Sequence, residues 1–182
     1  AQGHCFPCSL KLAACDMCIL KPETCHFHLG TCREPKWGEE HCMKPHIVYL
    51  ANSSNVKVGV TRKSQVPTRW IDQGAHEAIE IVEVPNRYLA GITEVALKDF
   101  VSDKTNWRDM LKNVVKDEDL VEWRERLKQY IPDEAKDYFI ASNKETNLEF
   151  PVLQYPQKPN SLNLEKTPNY TGVLKGIKGQ YL

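Results

Sequence analysis

The stretch from residue 46 to residue 107 constrains the fold most, because its apolar pattern changes period several times. Two apolar runs, 47–51 and 56–62, flank a turn-prone Asn-Ser-Ser-Asn segment, which predicts two strands joined by a hairpin. A third strand is predicted over 78–84, after a short helix, and a second helix over 86–101. The stretch therefore predicts the order strand, strand, helix, strand, helix.

Size and charge limit the classes of protein that this chain can belong to. A chain of 182 residues, 41% hydrophobic and 26% charged, allows one soluble globular domain plus a smaller module. No run approaches the roughly 18–20 apolar residues of a membrane span, so we expect a cytoplasmic protein without membrane contact. The 24 basic and 24 acidic residues cancel, so nucleic-acid binding would need a local patch, and Lys57, Arg62 and Arg69 form one without an intervening acid.

The seven cysteines all precede residue 43, which excludes a disulfide framework spread through the fold. They are Cys5, Cys8, Cys15, Cys18, Cys25, Cys32 and Cys42. Two C-x-x-C pairs and nearby histidines favour one or two structural zinc ions, because so short and polar a segment cannot bury a core of its own. The alternatives are free buried thiols, a disulfide cluster and an iron–sulfur cluster.

The spacing leaves the pairing of these ligands open. One solution places both C-x-x-C pairs around one ion and draws a second site from Cys25, His28, Cys32 and either His41 or Cys42. The other solution leaves Cys5 and Cys8 as half of a zinc ribbon that continues before residue 1, with the Cys15 and Cys18 pair joining two of the three later cysteines. The chain does not begin with Met and its C-terminal end resembles a strand pair cut short, so we expect a fragment at both termini.

The central stretch resembles the GIY-YIG nuclease superfamily. The resemblance rests on Ile-Val-Tyr ending at Tyr49, Lys-Val-Gly ending at Gly59, then Arg69 and Glu94 on successive helices, and Asn106 after them. It implies an α+β fold with a small three-stranded antiparallel sheet and flanking helices, and a phosphodiesterase site on one face of the sheet. Lys57 stands where the motif name has tyrosine, as in some branches of the superfamily.

The resemblance also implies roles for these residues. Tyr49 would help to deprotonate the attacking water, Arg69 would neutralise the scissile phosphate, and Glu94 would hold one Mg²⁺ or Mn²⁺ ion. Asn106 would close the second helix. Lys57 counts among the catalytic residues by its position, but it replaces a phenol that could share the proton transfer, and a lysine beside a phosphate could equally bind nucleic acid without cutting it. An arginine fork and one carboxylate-bound divalent ion suit phosphodiester hydrolysis on chemical grounds as well.

The chain is predicted to divide into four parts: a zinc module at 1–45, the GIY-YIG-like core at 46–115, a helical extension at 116–150 and a tail at 151–182. The extension should hold an amphipathic helix over 116–131, and the tail a proline-rich linker followed by a partial β hairpin. His76, Lys175 and Lys178 are expected to face solvent. The order of modules also resembles an uncharacterised bacterial family known only as a domain of unknown function, across the whole chain.

These patterns favour a zinc-stabilised, metal-dependent phosphodiesterase that acts as an endonuclease on DNA or RNA. The alternative is a non-catalytic zinc-containing module that binds nucleic acid through Lys57, Arg62 and Arg69. A thiol redox or iron–sulfur protein is the third class.

Overall fold

The structure is a computed structural model that describes residues 3–101 and 104–182. Its α-helices are α1 Phe6–Lys11, α2 Pro35–His41, α3 Thr68–Asp72, α4 Arg87–Lys98, α5 Trp107–Leu111 and α6 Leu120–Leu127. Its strands are β1 His46–Asn52, β2 Val56–Arg62, β3 Glu77–Val84 and β4 Thr146–Asn147. Short 3-10 helices lie at Ala13–Cys15, Met17–Ile19, Pro22–Thr24, Phe27–Leu29, Lys63–Gln65, Lys128–Tyr130 and Asp133–Tyr138. Across the described ranges, none of the helices has the length and apolar character needed to cross a bilayer.

The strands form one antiparallel sheet in the order β2-β1-β3-β4. All of β1 is buried, as expected for a continuous apolar run with a neighbour on each side. Tyr49 of β1 lies opposite Gly59 of β2 and Glu80 of β3, while Val48 lies opposite Val82. Ile81 is therefore an extra residue on β3, a bulge that shifts the register beside Tyr49.

The α+β class is confirmed, but the described sheet has four strands where three were predicted. The added strand β4 pairs Thr146 with Ala78 and Asn147 with Glu77. This strand of two residues is added to the sheet at the edge formed by β3. So short a strand has no alternating pattern, and it exists because the chain returns to the free edge of β3.

The two faces of the sheet bury different groups, because side chains alternate along a strand. Val48 and Leu50 join the larger apolar core, to which α4 and α6 contribute Leu97, Leu120 and Leu127. Ile47, Tyr49 and Ala51 face the opposite way and pack with Trp70 of α3 and with Ala75 and Ala78. The second, smaller core therefore places Tyr49 next to the helix that carries Arg69.

Helix α4 joins the cysteine-rich segment to the sheet. The Asn86 side chain caps it by accepting from the Leu89 N–H at 3.0 Å. An ideal Cβ on Gly91 would lie 2.1 Å from the backbone nitrogen of Glu23, so only glycine permits this close approach. Arg87, in the first turn, donates to the carbonyls of Cys18 and Ile19 at 3.3 and 2.6 Å.

The C-terminal part differs from the expectation in two places. The predicted helix over 116–131 is shorter, because α6 begins at Leu120 after the cap Asp119. The predicted hairpin at 170–182 is reduced to two isolated bridges, Val152 with Gly176 and Lys178 with Tyr181.

Two residues expected to face solvent are also placed differently. Lys178 is only 2% exposed and donates to His76 Nε2 at 2.7 Å and to Asn113 Oδ1 at 2.9 Å. His76 is half-buried. These contacts hold the tail against the start of β3.

Candidate functional site

Tyr49 lies at the centre of the candidate site on the sheet. Its side chain is fully buried, and its hydroxyl donates to Gln73 Oε1 at 3.1 Å. The ring meets Trp70 edge-on, with centroids 5.8 Å apart. The phenol ring lies over Gly59 of the neighbouring strand β2, because an ideal Cβ on Gly59 would lie 2.8 Å from the Tyr49 hydroxyl oxygen. Glycine at that position leaves the space in which the hydroxyl sits.

Arg69 and Glu94 both act on this phenol. Burial raises the pKa of Tyr49, the neighbouring Arg69 guanidinium lowers it, and the Glu94 charge raises it again. The net pKa is above the usual value for tyrosine, so the hydroxyl is protonated at neutral pH. The structure therefore brings together a phenol, a guanidinium and a carboxylate from β1, α3 and α4.

Glu94 is held in a largely enclosed position. Its side chain is 14% exposed, and Lys98 lies one helical turn away with its Nζ 3.6 Å from Oε2. The preceding residue, Thr93, is fully buried and donates to the Leu89 carbonyl. The carboxylate thus sits on the border between the α4 packing surface and solvent, where an ion could reach it.

Lys57 is buried beside the same site. The side chain is 5% exposed, and its ammonium donates to the Thr105 hydroxyl, which also contacts the Ser53 hydroxyl at 3.1 Å. Burial, and secondarily the charge of Arg69, lowers the pKa of Lys57 to about 8. Lys57 therefore loses its proton more easily than an exposed lysine, and it lies close enough to Arg69 for that charge to affect its pKa.

Arg62 lies away from this group, and the Asn106 side chain, next to Thr105 in sequence, is engaged in capping α5. Arg62 ends β2, five residues from Lys57, which is roughly 17 Å along a strand. Asn106 is exposed and caps α5 by accepting from the Asp109 N–H at 3.4 Å. The predicted patch for nucleic acid is thus divided, with Lys57 and Arg69 at the phenol and Arg62 at the other end of the strand.

Sequence reasoning missed three side chains at the site: Gln73, Thr105 and Ser53. Gln73 follows Arg69 by four residues, and that spacing places two side chains on one face of a helix. This pattern could have identified it. Thr105 and Ser53 lie in loops, and their approach to Lys57 depends on the packing of distant segments.

Three buried cysteines form the centre of the cysteine-rich segment. Cys18, Cys25 and Cys42 are at most 8% exposed and pack together with Phe27, Trp37 and Tyr88. The neighbouring Cys42 thiol, as a hydrogen-bond donor, lowers the pKa of Cys25 to about 6, and the same contact raises the pKa of Cys42. Burial raises the pKa of Cys18 to about 12. The three sulfur atoms thus interact with one another.

Further metal-binding groups line the same pocket, namely Asp16, His26 and Cys32. Ligand atoms of Asp16, Cys18 and His26 lie within 4.8 Å of one another. The Asp16 carboxylate is engaged, however, by the Arg33 guanidinium at 2.7 Å and by the Cys18 N–H at 3.0 Å. Cys32 makes only a long sulfur contact, 3.6 Å to the Glu34 carbonyl. Thiols from four parts of the segment therefore converge on one pocket.

The remaining cysteines lie apart from this pocket. Cys5 and Cys8 are exposed at the start of α1, and hydrogen bonds from Cys8 lower the pKa of Cys5. The hydrogen bond with Cys5 raises the pKa of Cys8, and the charge of the nearby Cys15 adds a smaller effect in the same direction. Cys18 instead groups with the later cysteines, and neither predicted pairing contains this division. All the cysteines of the described residues are free thiols.

His46 lies between the two regions, at the start of β1. Its Nδ1 contacts the Lys44 carbonyl at 2.7 Å, while Nε2 is buried without a hydrogen-bond partner among the described residues. Burial lowers the pKa of His46 to about 4, and the charges of Arg87 and Arg62 act in the same direction. The imidazole is therefore neutral at physiological pH.

Comparison with known proteins gives one match. The model of the family described as "Protein of unknown function (DUF2797)" matches residues 1–182, the whole chain. No curated protein and no solved structure matches the chain.

Proposed function

The chain belongs to the DUF2797 family of unknown function, and we propose that it is a metal-dependent phosphodiesterase that cuts DNA or RNA at the Tyr49 site. The observation that carries this proposal is that Arg69 and Glu94, although up to 45 residues from Tyr49 in sequence, both lie close enough to Tyr49 to influence its pKa. The placement of Tyr49 over Gly59 supports the same assignment, because it accounts for both motif positions at once.

Each side chain at this site has a chemical role in the proposal. The Arg69 guanidinium is exposed and can contact two oxygens of a phosphodiester. The Lys57 ammonium adds a second positive charge, so together they neutralise charge that develops in the transition state. Tyr49, with its raised pKa, keeps its proton in the hydrogen bond to Gln73 and orients the attacking water by accepting a hydrogen bond from it, and the proton that this water loses passes to solvent.

Glu94 is the residue that would hold the catalytic cation. A mostly enclosed carboxylate at a helix surface fits Mg²⁺ or Mn²⁺, since these ions take one or two protein carboxylates and keep several waters. A divalent ion bound there supplies Lewis acidity to the phosphate and lowers the pKa of bound water. Lys98, at 3.6 Å, would have to release the carboxylate or remain as an outer partner.

Cleavage of labelled DNA and RNA in the presence of Mg²⁺ or Mn²⁺ tests this proposal. Glu94→Gln keeps the shape of the side chain and removes its charge, so we expect a rate loss on the order of 100-fold or more. Glu83→Gln is the matched control, because Glu83 is paired with Lys63 on the surface of β3. Equal cleavage by the wild-type protein and the Glu94 variant would refute the assignment.

A second candidate function is binding of nucleic acid without cleavage. The observation that favours it is the burial of Lys57 against Thr105, where the motif name calls for tyrosine. Phosphate contacts weaken steeply with salt, so salt-sensitive binding without metal-dependent turnover would decide for this alternative.

We also propose that Cys18, Cys25, Cys32 and Cys42 hold one structural zinc ion. Three observations support this proposal. The four cysteines line one pocket, the three buried thiols affect one another's pKa, and the hydrogen bond of Cys32 to the Glu34 carbonyl is long, at 3.6 Å. Four thiolates suit the closed tetrahedral sites of structural zinc. Cys5, Cys8 and Cys15 are the candidates for a second ion, and free thiols of this kind fit a reducing compartment such as the cytoplasm.

Metal analysis and a visible absorption spectrum of the purified protein test the zinc proposal. Zinc without visible absorption is expected, and an iron–sulfur cluster would instead absorb in the visible range. His26 is the rival for the fourth position, since it lines the same pocket. Loss of zinc in His26→Ala and its retention in Cys32→Ser would reverse the assignment of that ligand.

A further inference from the structure

A basic cleft lies between α5 and the extended segment 157–161. It is open to solvent and has a volume of about 400 Å³. Its lining residues are Arg108, Lys112, Gln157, Lys158, Pro159, Asn160 and Ser161. Three of them are cations and three are neutral hydrogen-bonding side chains, with no carboxylate among them. Such a lining favours an anionic ligand.

The cations of this cleft, which we call the α5 cleft, are only partly neutralised by neighbouring groups. Asp109 contacts Lys112 at 3.2 Å, in an ion pair of which each side chain is 37% exposed. Partly exposed pairs of this kind are weak, so the carboxylate offsets little of the positive field. Arg108 lies 4.3 Å over the Trp107 ring, which in turn lies parallel to the Tyr181 ring. These stacked rings orient the guanidinium.

The α5 cleft is near the Tyr49 site along the chain. Thr105 accepts the hydrogen bond from the Lys57 ammonium, and α5 begins two residues later at Trp107. Arg108 is the third residue after Thr105, so their Cα atoms are at most about 11 Å apart. A nucleic-acid strand rises about 3.4 Å per nucleotide, so this distance corresponds to a few nucleotides.

We propose that the α5 cleft binds the phosphodiester backbone of the substrate strand a few nucleotides from the phosphate held at Lys57 and Arg69. The inference rests on the proposed function for the position of the scissile phosphate. Arg108 and Lys158 approach the strand from opposite walls of the cleft, and the amides and hydroxyl of Gln157, Asn160 and Ser161 donate hydrogen bonds to phosphate oxygens. These contacts fix the register of the strand and carry no base preference.

The test uses the double variant Arg108→Gln/Lys158→Gln of the full chain. Both side chains are exposed, so the variant should keep the fold. The control is Lys128→Gln/Lys136→Gln, which removes the same charge from two exposed residues of the helical extension. Binding of a fluorescent single-stranded oligonucleotide, as DNA and as RNA, is measured against salt concentration in a Glu94→Gln background, where cleavage is not expected.

We expect the cleft variant to reduce the slope of log affinity against log salt by about 1.4, from two lost phosphate contacts at about 0.7 each. In the active background, KM should rise several-fold and kcat should stay within about twofold. If the cleft variant has the same oligonucleotide affinity and the same salt dependence as its control, the inference is overturned, even if cleavage depends on Glu94. Reduced binding in the cleft variant, with cleavage that does not depend on Glu94, supports the cleft and refutes the proposed nuclease site. Absence of oligonucleotide binding by the wild-type protein overturns the inference as well.

Discussion

The cysteine-rich segment, residues 3–45, and the sheet region, residues 46–101, are stabilised by different means. The sheet region buries a large apolar core whose members include Val48, Leu50 and Ile81. The cysteine-rich segment contains short helices, mainly of the 3-10 type, and the centre of its buried group is three thiols. We expect burial of apolar area to stabilise the first region, whereas the second region is close to the size of about 40 residues below which domains usually need a metal or disulfides.

The two regions also differ in which polar groups they bury. In the sheet region, the polar residues Lys57 and Tyr49 are buried at a proposed reaction site, where their pKa values are shifted by burial. In the cysteine-rich segment, the buried polar groups are the thiols themselves. We therefore expect substitutions to separate the regions, with metal binding lost from one and apolar packing lost from the other.

Cys42→Ser should give the largest effect, because it removes a proposed zinc ligand. Structural zinc contributes on the order of 10 kcal/mol to the folding of small modules, so the cysteine-rich segment should lose its structure. We expect loss of one zinc per chain by metal analysis and rapid proteolysis within residues 1–45. Leu29→Ala is the control, since Leu29 is exposed in the same segment and is not a proposed metal ligand. An unchanged zinc content in the Cys42 variant would contradict the assignment.

Leu50→Ala should give the next largest effect, in the sheet region. Leu50 is fully buried in the larger core, and removing such a side chain costs about 2–5 kcal/mol. Urea unfolding should show this loss of stability while the folded variant keeps its zinc. Ile71→Ala is the control, because Ile71 is 42% exposed on α3. If the folded Leu50→Ala variant lost zinc as well as stability, the two regions would not be separately stabilised.

The sequence predicts the sheet region better than it predicts the cysteine-rich segment. The apolar run of β1 and the alternation in β2 place both strands to within one residue, because strand period and turn residues act locally. Opposite positions in the hairpin then place Tyr49 against Gly59. The strand β4 and the burial of Lys178 could not be predicted, since both depend on C-terminal segments that return to residues distant in sequence.

The division of the cysteines could not be derived from spacing either. Asp16 has an extended backbone, with φ −67° and ψ 150°, and separates the two 3-10 turns that carry Cys15 and Cys18. Those two cysteines therefore belong to different groups even though their C-x-x-C spacing is typical of one site. Arg69 and Glu94 lie close enough to Tyr49 to influence its pKa, and the roles that the resemblance implies for these residues stay predictions.

Gly91→Ala tests the joint between the two regions and should have an intermediate effect. The added Cβ would lie 2.1 Å from Glu23 N and 2.3 Å from the Pro22 carbonyl carbon, both of which are backbone atoms. Overpacking of this kind costs about 1–3 kcal/mol, and the strain should loosen the cysteine-rich segment from α4. Limited proteolysis before residue 46 should accelerate, whereas Val95→Ala on the exposed side of α4 should not change it. Equal proteolysis of the two variants would show that the close approach does not hold the regions together.

The smallest predicted effect is a pH dependence that belongs to the sheet region alone. Lys57, with a pKa of about 8, is charged below that pH and loses its charge above it. Because kcat/KM reports the ionisation of the free enzyme, we expect it to fall by up to about tenfold per pH unit above pH 8. Lys57→Arg should remove this decline, since arginine stays charged, while the zinc content should stay constant over the same range.

The stability of the folded protein should rise with pH over the range in which kcat/KM falls, and this contrast helps to identify the group that titrates. The folded-state pKa of Lys57 is below its unfolded value of about 10.5, so the folded protein binds fewer protons between pH 8 and 10.5 and becomes more stable as pH rises. Lys178, whose pKa burial also lowers to about 8, contributes in the same direction and lies outside the Tyr49 site. Lys178→Met should therefore reduce the rise in stability and leave the pH profile of kcat/KM unchanged. If the Lys178 variant instead removed the decline in kcat/KM, the titrating group would lie in the tail, and the proposed role of Lys57 at the phosphate would be wrong.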